Sequence, residues 1–172
     1  ASKRAVGSSE PSAYERFHST FQAAVTQELE ALVEDLRSAA ARVADQPVNS
    51  SDPPTHRWDG AEADVSKSLK ALVDELVARW GFVLATYRAH VAAEDEVVLP
   101  ALAARVSNVA HAYELEHEAE DSLFDAITQA LDEAVELMAT NEGGGPAHTE
   151  RLQGAIQRAA RTAHATKTAL AQ

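Results

Sequence analysis

The chain has 172 residues, with 15 Lys+Arg against 27 Asp+Glu and a net charge of −12, so it is the size of one domain and carries an acidic surface. That charge repels phosphate backbones and anionic membranes, and neither nucleic-acid nor membrane binding is expected. With no cysteine, disulfides, iron–sulfur clusters, Cys-based zinc fingers and thiol catalysis are excluded, and any metal chemistry rests on histidine and carboxylate.

Residues 1–11 read as a flexible segment without the apolar stretch of a signal peptide, and no run is long and apolar enough to be a membrane span. A soluble, intracellular protein is expected. Residues 12–172 read as one domain, because 45% hydrophobic composition suffices for a core and the apolar residues recur at helical rather than strand spacing. The first helix is predicted over Ser12 to Ala44. It is followed by a Pro/Ser/Asp-rich loop over 46–60 containing Pro47, Pro53 and Pro54. A second helix runs from about Ala61 to Leu99, where Pro100 stops it, with a short continuation over Ala101 to Arg105. Ser107 or Asn108 then caps a third helix that ends near Thr140. A glycine-rich loop over 141–146 leads to a fourth helix, which begins near Ala147 and still has helical composition at Gln172. The expected fold is an all-α, up-down-up-down four-helix bundle without internal repeats.

Each helix offers an apolar stripe, and polar residues interrupt three of them. The first reads Tyr14, His18, Phe21, Val25, Leu29 or Glu28, Leu32, Leu36, Val43. The second reads Leu69, Leu72, Leu76, Trp80, Val83, Tyr87, His90, Glu94, Val97. The third reads Ala110, Tyr113, His117, Phe124, Ile127, Leu131, Val135, Met138, with Glu120 and Asp121 filling the gap after His117. A carboxylate on a core stripe costs several kcal/mol unless it is paired or bound to a metal. The exceptions therefore need a reason.

Helix lengths supply one. His18 and His90 lie about equally far from the loop joining their antiparallel helices, and His117 follows soon after that second helix ends. The three histidines and Glu94 thus converge on one layer near one end of the bundle, with His90 and Glu94 at i and i+4 on one helix face. This set points to metal, whereas each histidine alone is more simply a hydrogen-bonded core residue. Asp121, at i+4 from His117, is preferred over Glu120 as the additional acid, the alternative being a solvated acidic edge. The fourth helix regains the layer near position 170. His164 falls about 9 Å short at about 1.5 Å per residue, so ligands from that helix are expected beyond Gln172. His56 and His148 read as exposed, and His111 as a structural hydrogen-bonder off the His117 face. Tyr14, Tyr87 and Tyr113 read as core aromatics, with hydrogen bonding of a hydroxyl to a ligand as the sharper alternative.

The order His18, His90-x-x-x-Glu94, His117 resembles the HHE (hemerythrin-like) cation-binding domain; that family's final His-x-x-x-Glu has no counterpart in this chain. Phe17-His18, Tyr87-Arg88-Ala89-His90, Ala93-Glu94-Asp95-Glu96, Leu99-Pro100-Ala101-Leu102 and the Tyr113 to Glu118 stretch are most similar to the hemerythrin domains of BRUTUS-type RING ubiquitin ligases of plants and algae. The likeness runs from about Tyr14 to Leu152. It implies a non-haem dinuclear iron site with imidazoles as terminal ligands and Glu94 as a bridging carboxylate, zinc or manganese being substitutes the donor set also suits. It further implies an iron and oxygen sensor module of a larger ubiquitin ligase in iron homeostasis, in the nucleus or cytoplasm. Its partners would be the metal, O2, the parent's other domains and that ligase's protein substrates. Lacking cysteine, the chain carries no RING of its own and no catalytic residue is assigned. The competing expectations are a diiron oxidase, a reversible oxygen carrier, and a structural bundle with core histidines. Ferritin-like sites lead with Glu-x-x-His and add core glutamates, whereas histidine leads here.

Overall fold

The structure is a computed structural model that describes residues 13–45, 59–106, 108–140 and 146–171. The expectations for the 1–11 segment, the 46–58 loop with His56, Ser107 and the 141–145 glycine loop lie outside the described residues, as does the side chain of Tyr14. Helix α1 spans Ala13–Ala44, α2 Asp59–Ala93, α3 Leu99–Ala103, α4 Val109–Ala139 and α5 Pro146–Leu170, and no strand occurs among the described residues. The four long helices form the expected all-α bundle. Helix α5 lies closest against α1 and α4, an approach its buried face of Ala155, Ala159, Ala160 and Ala163 permits because methyl groups leave little between the helix axes.

The core is the set of stripes read inward. Leu29, Leu32, Leu36 and Val43 of α1 meet Leu76, Trp80, Val83 and Tyr87 of α2 together with Phe124, Ile127 and Leu131 of α4 and Leu152 and Ile156 of α5, all buried. At the ambiguous position it is Leu29 that enters the core. Glu28 instead turns to Arg79 of α2, which donates to Glu28 Oε2 at 3.0 and 3.2 Å and to Asp35 Oδ2 at 2.6 Å. One guanidinium thereby clamps two turns of α1 to α2. The groups are partly exposed, so the clamp is worth about 1 kcal/mol. Arg79→Ala is expected to lower the melting temperature by about 2–4 °C, measured by circular dichroism. Farther along, Trp80 Nε1 donates to Thr128 Oγ1 at 3.0 Å and ties α2 to α4.

Two features of the stripes are corrected by the structure. Helix α2 does not stop before Pro100. The path continues through a π-helical turn, Glu94–Val98, directly into α3, where Pro100 occupies one of the first two helical positions. Proline has no N–H to give and clashes with the carbonyl four residues back in a regular helix. The wider turn, closed by Leu99 N–H to Glu94 O, relieves both demands. The extra residue shifts the phase, which is why Val97 is 68% exposed rather than core while Leu99 is buried. On α4, Val135 likewise faces outward and Ala134 and Leu137 take the core positions. Asn108 precedes α4 as expected but makes no side-chain cap; it adopts φ 66°, a left-handed conformation that asparagine tolerates.

Candidate metal centre

Near one end of the bundle His18 from α1, His90 and Glu94 from α2 and its π turn, and His117 from α4 line one small cavity. Glu94 is at its centre and only 4% exposed. Its Oε1 is 3.1 Å from His18 Nδ1 and 3.3 Å from His90 Nε2, while its Oε2 is 3.4 Å from His117 Nε2. A single carboxylate therefore addresses three imidazoles, two on one oxygen and one on the other. His18, His90 and Glu94 each present a ligand atom within 4.8 Å of the others, a group that could hold a metal ion. The cavity measures about 50 Å³, room for ions and a few water-sized molecules and far below an organic-ligand pocket.

The supporting contacts are as specific. The ring of Phe21 stacks on His90 with centroids 3.7 Å apart and fixes the imidazole plane. Tyr87, buried and stacked on Phe124 at 3.9 Å, donates its hydroxyl to Glu120 Oε2 at 3.0 Å. Glu120 and Glu116 also line the cavity. Asp121, the acid preferred from its spacing, is exposed and does not line the cavity. Helix α4 is rotated so that the i+3 acid, not the i+4 acid, meets Tyr87. Helix α5 reaches the layer at Leu170, which lines the cavity, and His164 is exposed. His111 is exposed beside Glu114, and His148 is half-buried near the start of α5, more covered than expected.

Asp95 is exposed and stands off the apolar stripe, so periodicity does not single it out. Its Oδ1 is 3.1 Å from His117 Nδ1, so consecutive acids of the π turn approach the two nitrogens of one ring. The available signal was the doubled acid Glu94-Asp95 just ahead of Pro100. Phe21 reads only as core from its spacing, although it stands three residues after His18 on the same stripe and stacks on His90.

Electrostatics follow from this enclosure. Burial pushes the His90 imidazole below its ordinary range, and repulsion from His18 and His117 adds to that against the attraction of Glu94. Burial likewise raises the Glu120 carboxyl, opposed by the Tyr87 hydroxyl and His117. The Tyr87 phenol is driven far above its usual range, by burial first and then by the Glu120 charge, and stays a donor. A neutral His90 keeps its lone pair for a cation. The unfolded histidine accepts a proton that the folded one resists, so the contribution of neutral His90 to stability is present above about pH 6.5 and is lost as pH falls. Glu120 acts in the opposite sense, gaining stability as pH falls through its raised range. Melting of the metal-free protein between pH 7.5 and 5 is expected to show an acid-side loss that His90→Leu makes shallower; an identical slope in the variant would refute this.

No family model matches the chain, and no solved structure matches it. The chain is 47% identical over 58 residues to the zinc finger protein BRUTUS of Arabidopsis thaliana, a stretch that is 34% of this chain and 5% of that protein. Two BRUTUS-like zinc finger proteins of the same plant are 42% identical over 64 residues and 44% identical over 69, covering 37% and 40% of this chain and again 5% of each relative. A BRUTUS-related region is present in the chain, which spans about 5% of the length of the relatives it matches. Among the described residues no helix is long and apolar enough to cross a membrane.

Proposed function

We propose that this chain is a hemerythrin-like module that binds non-haem iron as a dinuclear centre and serves as an iron and oxygen sensor within a larger ubiquitin ligase. The observation that carries the reading is the Glu94 carboxylate, with His18 and His90 on one oxygen and His117 on the other. That division is what a bridging carboxylate between two cations requires, and imidazole with carboxylate is a donor set that iron accepts. Residues His18, His90 and Glu94 would hold one ion. Glu94, His117 and Glu120 would contribute to the second, Glu120 and not Asp121 being the acid that lines the cavity. Bound iron would supply the redox and oxygen-binding chemistry.

The protein's own residues supply the rest. Phe21 and Tyr87 hold His90 and Glu120 in place, and the apolar wall completed by Leu170 limits access to small molecules. Because the donors come from three helices, occupancy couples to how tightly those helices pack. Such coupling turns iron availability into a change of stability or of partner affinity that a surrounding ligase can read. The relatives are zinc finger proteins by name, and the absence of cysteine here assigns any zinc or RING module, with its partners and substrates, to other parts of such a protein.

The test is iron per chain after anaerobic reconstitution with ferrous salt and desalting, measured by plasma emission spectrometry. At least one iron per chain is expected, held by His18, His90 and Glu94, and a second where the His117 half of the site has its full set of ligands. A protein without stoichiometric metal would be a structural bundle with core histidines.

A further inference from the structure

In an α-helix successive side chains leave the axis about 100° apart, so neighbouring residues do not serve one target. The π turn Glu94–Val98 spreads one more residue over its circumference, which reduces that angle. Its first two residues consequently both reach α4. Glu94 Oε2 lies 3.4 Å from His117 Nε2, and Asp95 Oδ1 lies 3.1 Å from His117 Nδ1. His117 is 9% exposed, whereas the Asp95 side chain is half-exposed. One acid is thus inside the centre and the other at its rim.

Both ring nitrogens of His117 face carboxylates, but the Nδ1–Asp95 pair at 3.1 Å is the one in hydrogen-bond geometry, and a cation bound at Nε2 would leave the ring proton on Nδ1, where only a carboxylate or another acceptor can take it. That leaves Nε2 as the nitrogen presented to Glu94. We propose that Asp95 is a positioning residue: it holds His117 with Nδ1–H toward its own carboxylate and Nε2 toward the centre, so two consecutive acids of one π turn set the second half of the site. The inference rests on the metal reading above and concerns this chain's residues toward that metal. Metal-bound histidines whose other nitrogen donates to a carboxylate lose about 10–100-fold in metal affinity when the carboxylate is removed.

Zinc is the probe, being diamagnetic and suited to imidazole and carboxylate. Protein labelled with 15N-histidine is loaded with zinc, and the two nitrogens of His117 are followed by long-range 15N–1H correlation, assigned with His117→Ala. The unmodified protein is expected to show a protonated Nδ1 and a metal-shifted Nε2. Asp95→Ala is expected to lose that signature and to bind zinc about 10–100-fold more weakly. Asp95→Asn, whose amide oxygen still accepts from Nδ1–H, restores the signature with part of the affinity, while Glu96→Gln, an equal charge change on an exposed neighbour, changes neither. A folded Asp95→Ala that keeps the His117 signature and zinc affinity overturns the proposal. If Asp95→Ala does not fold, an Asp95→Asn protein without the signature overturns it equally. No zinc bound to the unmodified protein overturns the metal reading itself, and the positioning role with it.

Discussion

Glu94→Gln is expected to abolish stoichiometric metal binding while leaving the bundle folded. Glutamine preserves the shape of the side chain and replaces one oxygen with an NH2 group that donates and cannot ligate. In the native protein both carboxylate oxygens are in use, Oε1 toward His18 and His90 and Oε2 toward His117. Whichever way the amide turns, one side loses its oxygen, and with the negative charge gone the site holds imidazoles without their shared counter-charge. The loss should exceed the about 10–100-fold that follows removal of an outer partner. Metal analysis after reconstitution, with circular dichroism as the folding control, reads this directly. Full metal content in the folded variant would mean that Glu94 is a core carboxylate satisfied by histidines and that the ions, if any, bind elsewhere.

Iron loading is expected to raise the melting temperature by about 8–16 °C. The proposed donors come from α1, from α2 with its π turn, and from α4, and the unfolded chain does not bring them together, so binding free energy adds to folding free energy. Free metal at about 1,000 times its dissociation constant contributes about 4 kcal/mol, and each kcal/mol moves the melting point of a domain this size by about 2–4 °C. The buried Glu94 carboxylate sharpens the effect, because a cation would add to the offset of its desolvation that neighbouring imidazoles provide. Anaerobic scans with and without ferrous iron provide the comparison. Equal melting temperatures at saturating metal would remove the physical basis for reading occupancy through stability, and the sensor proposal would fall even if iron were bound.

The bundle and most of its centre are legible in the order of residues alone. Apolar positions at alternating three- and four-residue steps define one face per helix, and a histidine or glutamate in phase with such a face is carried inward with it. His18, His90, Glu94 and His117 stand out in this way, and the helix lengths put them at one level, where they line one cavity. Even the point at which α5 regains the layer, Leu170, follows from counting residues between breakers.

What counting does not provide is the rotation of each helix about its own axis to within half a residue. Glu120 and Asp121 straddle the edge of the α4 stripe, and their periodicity is the same whichever one faces inward. The decision comes from α2, where the buried Tyr87 hydroxyl has Glu120 within 3.0 Å, while Asp121 is left in solvent. Val97 turns outward for a related reason, since a regular period extrapolates phase through the π turn, whereas on the regular helix α4 the stripe takes a three-residue step from Leu131 to Ala134 instead of a four-residue step to Val135. Pro100 announces a departure in the sequence. Whether the helix ends there or widens by one residue depends on whether the next segment gains by packing on α4, as Leu99 and its neighbours do. From that widening come the outward turn of Val97 and the reach of Asp95 to His117. Sequence thus determined the helices, their stripes and the four polar residues that line the cavity, because those depend on local spacing. Tertiary structure decided which edge residue enters the centre and how each imidazole is aimed, because those depend on the groups that neighbouring helices present.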